Sequence, residues 1–386
     1  MALGFVVAAG LIVSMQLPLM HQRAVVHAHL DTIVQGVGDV APLSWPSIGS
    51  AALAIPALGV AVGWNNRVMP IASLTKMMTA YVTLERLPLS VGQTGPCTTI
   101  TENDVLAYEF EKLAGQSTAL VVVGERLCEI DLLNGLLVHS AGNYADVLAS
   151  MVSGTPETFI ASMNATAESL GLRATRYDDV TGFSPLSVST ALDQAKLAVI
   201  LMKSPLVRAI VRQPSVTLPV AGLVNSFTPL VGTADVVGVK SGRTDEAGGC
   251  DVLALTFEQG GLTRIIYAVV LGQRGGDLLT PAGAAALALA QSALANRVEL
   301  MFAKGTTVGR IGWGTRTVEF GFARDHLVTF WVPRSSPTVA LHMKRFTTTV
   351  RKGEVVGWVQ VHGASTRMAL VARATVSPPT IWQRLL

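Results

Sequence analysis

The spacing of apolar residues changes period along this chain, and that change limits the folds open to it. Near the start, Leu58, Val60, Val62 and Trp64 alternate with small residues, as a strand does, and Asn65-Asn66 reads as a turn. From Leu74 the spacing becomes helical, with Leu74, Met77, Met78, Tyr81 and Val82 on one face and Leu132, Leu133, Leu136 and Leu137 on another. From Asp235 strand-like runs return. A helical tract with strands on both sides fits an α/β or α+β body, in which an antiparallel sheet carries a helical insert. No internal repeat or low-complexity tract points to a solenoid or fibre.

Punctuating residues divide the tract further. Pro70 opens a helix that Pro88 stops, and Thr101-Glu102-Asn103-Asp104 reads as the start of the next. A helix begins at Asp131, is interrupted from His139 to Asn143, and resumes from Tyr144 to Val152. Pro156 to Leu170, ended by Gly171, and Ser189 to Met202 follow. Strands are predicted over Asp235–Lys240, Asp251–Phe257 and Arg264–Leu271, the last two joined by a turn at Glu258-Gln259-Gly260-Gly261. Pro281 to Val298 reads as an Ala-rich helix. Beyond Leu300, short alternating runs (Thr317–Phe322, Leu327–Val332, Thr338–Met343, Val355–Val361 and Met368–Ala374) predict a small all-β domain. The expected organisation is a leader or anchor over residues 1–22, a linker over 23–45, a catalytic body over 46–298, a β domain over 299–377 and a tail over 378–386.

Composition supports a globular enzyme of ordinary size. Half of the 386 residues are hydrophobic and 14% are charged, with a net charge of +3. No Lys/Arg block accompanies that small excess, so nucleic acid is not an expected partner. Ala2 to Met20 contains no charged residue and reads as a signal or membrane-anchor segment. Export is therefore expected, with membrane attachment through that segment if it is not cleaved. The three cysteines, Cys97, Cys128 and Cys250, have no metal-ligand spacing. In an exported protein Cys97 and Cys128 could pair, leaving Cys250 as a buried thiol; the alternative is three unpaired small hydrophobes. No metal or cofactor is implied.

Three clusters carry chemistry. Ser73-Leu74-Thr75-Lys76 sets a hydroxyl and an amine three residues apart on a helix face, where the two side chains meet. A serine needs a base to take its proton, and a neutral lysine can serve. Burial and a second cation would lower the lysine's pKa. Ser140 sits in the break between two helical halves, followed by Ala141-Gly142-Asn143. Lys240-Ser241-Gly242-Arg243-Thr244 ends a predicted strand. Histidine is scarce: within the predicted body only His139 is present. A Ser-His-Asp triad thus has one candidate, which reads more readily as a structural or rim residue.

These clusters, in this order, resemble those of the low-molecular-weight penicillin-binding proteins, the serine D-alanyl-D-alanine carboxypeptidases. Longer stretches carry the resemblance: Pro70–Thr79, Thr181-Gly182-Phe183-Ser184-Pro185 through Ser189-Thr190-Ala191, and Gly238–Cys250. It implies a β-lactamase/transpeptidase-like body with Ser73 as nucleophile, Lys76 as base and Ser140 as proton relay. It further implies that Lys240, Ser241, Gly242, Arg243 and Thr244 bind substrate, with an oxyanion hole at the N–H groups of Ser73 and Arg243. The substrate would be a peptidoglycan stem peptide, and β-lactams would be inhibitors. One departure stands out. The family pattern Ser-x-Asn places an asparagine where this chain has Gly142, so either Asn143 takes that role or it is unfilled. A β-lactamase-like hydrolase and a catalytically impaired cell-wall scaffold are the competing readings.

Overall fold

A computed structural model describes residues 23–28, 42–233, 235–259, 261–331, 339–361 and 367–379. The expected leader over residues 2–20 and the tail from 380 lie outside them. The described chain divides into two units, one spanning Leu43–Ala295 and the other built from Asn296 onward together with the residues before position 43.

The larger unit is organised on a five-stranded antiparallel sheet. Its strands run in the order Val236–Thr244, Gly248–Gln259, Leu262–Gln273, Ser50–Ile55 and Val60–Trp64. The Ser50–Ile55 strand is wholly buried, which is why its sequence shows a continuous apolar run instead of alternation. Between Trp64 and Val236 the chain leaves the sheet and forms most of the helices: α1 (Lys76–Arg86), α2 (Glu102–Leu113), α3 (Glu129–Leu137), α4 (Gly142–Ser153), α5 (Pro156–Ser169), α6 (Ala191–Leu201) and α7 (Pro205–Val211). Helix α8 (Leu279–Ala295) follows the last strand and packs on the sheet.

Helix ends follow local chemistry. Thr101 caps α2 through a capping box with Asp104, whose backbone N–H donates to Thr101 Oγ1 while its carboxylate accepts from Thr101 N at 2.7 Å. Asp131 accepts from Cys128 N at 3.0 Å at the head of α3. One apolar cluster joins α1, α3, α4 and α6 to the sheet, with Met77, Met78, Leu133, Leu136, Tyr144, Leu148 and Leu197 fully buried.

The helix predicted to open at Pro70 opens later. Met69–Pro70 pairs with Val188–Ser189 as a two-residue ladder, Ala72–Thr75 forms a 3-10 turn, and the α-helix starts at Lys76. Proline lacks the N–H that a longer strand pairing would use, yet it suits an edge position. In the smaller unit, Val25–Ala28 is a strand paired with Thr307–Trp313, so the segment expected to be only a linker contributes to a six-stranded sheet. The remaining strands of that sheet are Arg316–Phe322, Arg367–Ala372, Val355–Val361 and Val339–Met343, while Arg297–Phe302 pairs with His326–Trp331. Phe320, Trp313, Val359 and Leu370 lie in that unit's own core.

Candidate active site

The nucleophile candidate stands on a tight piece of backbone. Ala72 has φ +47°, in the left-handed region that residues with a Cβ seldom occupy. The turn from Ala72 to Thr75 is 3-10, and in such a turn side chains at i and i+3 eclipse. Ser73 and Lys76 are separated by that interval, and Lys76 Nζ lies 2.9 Å from Ser73 Oγ. Lys76 Nζ also donates to the Thr181 carbonyl at 2.9 Å. Lys76 is 3% exposed, whereas Ser73 keeps partial access to solvent.

The loop from Asp178 to Ser187 holds this arrangement in place. The Asp179 carboxylate accepts from Thr181 Oγ1 at 2.7 Å, Phe183 N at 2.8 Å and Ser187 Oγ at 2.5 Å, so it ties the loop into one conformation. Thr79 Oγ1 on α1 donates to the Val180 carbonyl at 2.7 Å. A Cβ at Gly182 would fall 1.8 Å from the Ala72 carbonyl oxygen, and Gly182 has φ +82°. Glycine there is a requirement of the close approach.

Electrostatics favour a neutral amine. Burial lowers the Lys76 pKa to about 8, against the opposing pull of Asp179, Glu111 and Asp146. Lys240, fully buried on the Val236–Thr244 strand, is held well below the ordinary lysine value by burial and then by the charge of Lys76. Its Nζ donates to the Ser241 carbonyl at 2.8 Å. For Lys76 the three carboxylates oppose the shift, so it is burial that favours a neutral base beside Ser73.

The strand reaches the nucleophile at Gly242. A Cβ there would fall 2.5 Å from Ser73 N, so only glycine lets the strand edge lie against the Ser73 backbone. Its neighbours are engaged elsewhere. The Ser241 hydroxyl donates to the Phe227 carbonyl at 2.7 Å, Arg243 Nη1 donates to the Asp277 carbonyl at 3.0 Å, and Thr244 Oγ1 accepts from Ala247 N at 3.0 Å. The side chains of these three residues thus brace the strand and the turn after it.

Ser140 lies in the break between α3 and α4, with φ +63°, 2% exposure and no hydrogen-bond partner for Oγ. Asn143 does not take the role left open by Gly142. Its amide oxygen accepts from Ala119 N at 3.0 Å and its amide nitrogen donates to Ala119 O at 2.8 Å. Both ends of its carboxamide are spent fixing segment 117–119 beside α4, where Gly142 N also donates to the Ser117 carbonyl at 2.7 Å. The basic group in contact with Ser73 Oγ is the Lys76 amine, and His139 is engaged elsewhere. Its Nδ1 lies 3.0 Å from the Asn225 carbonyl oxygen and its ring packs against Phe227. Cys97 and Cys128 form a disulfide between neighbouring short strands, while Cys250 is a buried thiol pushed up to about 12 by burial.

Sequence reasoning missed Asp179, Glu111 and Asp146, all of which act on Lys76. The signal for Asp179 was present, because Asp179-Val180 directly precedes the quoted Thr181–Pro185 stretch. Glu111 and Asp146 gave no such signal, since each looks like a solvated residue on a helix.

Comparison with known proteins agrees with this geometry. The sequence profile of the D-alanyl-D-alanine carboxypeptidase family (Peptidase_S11) matches residues 62–275. A D-alanyl-D-alanine endopeptidase of Pseudomonas aeruginosa is 32% identical over 212 residues, which cover 52% of this chain and 63% of that protein. The D-alanyl-D-alanine carboxypeptidase DacC of Escherichia coli is 35% identical over 127 residues, covering 33% of this chain and 32% of the relative. The chain thus spans less than two thirds of the length of these curated relatives. In fold it resembles the crystal structure of penicillin binding protein 5 from Haemophilus influenzae, with TM-score 0.61 and 20% identity over 89% of this chain and 100% of that one. Penicillin binding protein 6B from Escherichia coli is similar, with TM-score 0.61 and 21% identity over 90% of this chain and 99% of that one.

Proposed function

The chain belongs to the D-alanyl-D-alanine carboxypeptidase family, and from that premise we propose that it removes the terminal D-Ala of peptidoglycan stem peptides through an acyl-enzyme on Ser73. The observation that carries this reading is the 2.9 Å contact between Lys76 Nζ and Ser73 Oγ, made by a buried amine whose pKa is lowered to about 8.

Neutral Lys76 takes the Ser73 proton as Oγ attacks the carbonyl of the penultimate D-Ala. Negative charge grows on the carbonyl oxygen, and the backbone N–H groups of Ser73, beside Gly242, and of Arg243 are the proposed donors to it. The proton on Lys76 then passes to the departing amine of D-Ala, with the unpartnered Ser140 hydroxyl as relay. Burial, and then the charge of Lys76, hold Lys240 well below the ordinary lysine value against the pull of Asp251, and an arriving substrate carboxylate would favour its charged form. Water then hydrolyses the ester by the reverse proton route.

A β-lactam presents a strained amide to the same serine and acylates it. Glu111, a buried carboxyl whose charge acts on Lys76, is pushed up to about 9 by burial and by the neighbouring Asp146 carboxyl, so near neutral pH it holds a proton. It is therefore no general base for rapid deacylation, and a long-lived penicilloyl adduct is expected rather than β-lactamase turnover. The disulfide supports an oxidising compartment, and the proposed site of action is outside the cytoplasmic membrane. Among the described residues no helix is long and apolar enough to cross a membrane. The test is D-Ala release from a stem-pentapeptide analogue. Release by the wild type and its loss in Ser73→Ala support the assignment; peptide binding without release would point to a scaffold instead.

A further inference from the structure

Residue 142 has no side chain, but the space beside it is occupied. A Cβ on Gly142 would fall 2.4 Å from Glu111 Oε2 and 3.1 Å from Gln116 Oε1. Both side chains come from outside the Ser140 break: Glu111 from the last turn of α2 and Gln116 from the loop that follows it. Gln116 N donates to the Glu111 carbonyl at 3.0 Å, which fixes the two residues relative to each other. Segment 117–119 is clamped against α4 by Gly142 N and by the Asn143 carboxamide, so the root of Gln116 is held as well.

The two side chains differ in what they can reach. Glu111 is 6% exposed and both of its carboxyl oxygens lack a hydrogen-bond partner. Buried polar atoms without partners are uncommon, and one explanation is a group that arrives with substrate or with a proton. Gln116 is only partly buried, and among the described residues none is paired with its carboxamide by a hydrogen bond. It carries a donor and an acceptor, the pair needed to grip a peptide amide. Asn143, the other carboxamide here, has neither end free.

We propose that Gln116 supplies the substrate-gripping carboxamide of this site, delivered from the loop after α2 to the side of Gly142, with Glu111, which lies closer still to residue 142, as a positioning residue. The inference rests on the carboxypeptidase reading and names the group that would hold the amide of the acyl-D-Ala-D-Ala backbone. Glu111 suits its part as a neutral acid, because a carboxylate there would face Asp146 across a dry contact.

The test compares Gln116→Ala, Gln116→Glu and the double variant Gln116→Ala/Gly142→Asn. D-Ala release from a stem-pentapeptide analogue and the rate of penicillin acylation are measured for each. Both single variants should lower kcat/KM at least tenfold. Gln116→Glu keeps the shape and loses the donor, so a purely space-filling Gln116 would leave that variant near wild type. Recovery in the double variant requires the Glu111 carboxyl to swing off the new Cβ, 2.4 Å from Oε2, and would place the lost function in the carboxamide. Single variants within threefold of wild type in both measurements would overturn the inference. Wild-type protein that acylates with penicillin but releases no D-Ala would instead sink the carboxypeptidase reading, and the acylation rates of the same variants would still decide the role of Gln116.

Discussion

At the scale of single residues, the account turns on the charge of Lys76. Burial favours its neutral form, and neutral amine is the form that can accept a proton. The rate of acylation by penicillin should therefore climb with pH, about tenfold per unit below the lowered pKa, and level off above about pH 8. A rate that is flat from pH 6 to 9 would contradict this. Replacing Lys76 by Ala should slow acylation by roughly 10²–10⁴, the usual contribution of a positioned base. Ser140 calls for a different substitution, because its φ of +63° strains any residue with a Cβ. Ser140→Gly removes the hydroxyl without adding strain, and acylation should fall at least tenfold while the urea midpoint stays close to wild type.

At the scale of elements, the Ser73 turn is held between the Asp178–Ser187 loop and the strand ending at Thr244, and the break before α4 is the piece proposed to bring the relay hydroxyl. The contact between turn and strand is tightest at Gly242. Gly242→Ala would place a methyl 2.5 Å from Ser73 N, against backbone that cannot swing aside, so the strand must move away from the nucleophile. Acylation should drop at least tenfold, with a smaller effect on thermal stability because the sheet's apolar faces are unchanged. The break before α4 was legible in the sequence, since polar residues from His139 to Asn143 interrupt an apolar helical pattern. The start of α1 was not. Pro70 reads as a helix opener, whereas here it ends a two-residue ladder with Val188–Ser189, a partner more than a hundred positions away. Ser50–Ile55 was also hidden, because a strand buried on both faces loses its alternation. The engagements of Asn143 and Ser241 were beyond the sequence for the same reason. Ala119 and Phe227 are distant in sequence, and nothing local marks them as partners.

At the scale of the whole molecule, every residue assigned a part in the chemistry lies within Leu43–Ala295, a unit with its own apolar core. A protein comprising residues 43–295 should fold and still be acylated by penicillin, and failure to bind the label despite a native circular dichroism spectrum would contradict that division. The Cys97–Cys128 disulfide closes a loop with a sequence separation of 31 and should contribute roughly 3–4 kcal/mol on the loop-entropy estimate. Urea unfolding of the Cys97→Ala/Cys128→Ala double variant would measure it. The broad architecture was legible because periodicity survives averaging over long segments: helical insert, antiparallel sheet and separate β unit all follow from it. The strand at Val25–Ala28 was not, since four residues among His, Gly and Pro carry too little pattern. The central claim, that Ser73 activated by Lys76 is the nucleophile, is tested most directly by mapping a labelled penicillin on the digested protein by mass spectrometry. The account predicts one covalent adduct on the peptide carrying Ser73, absent from Ser73→Ala and strongly reduced in Lys76→Ala. An adduct on another residue, or equal labelling of wild type and Ser73→Ala, would contradict it.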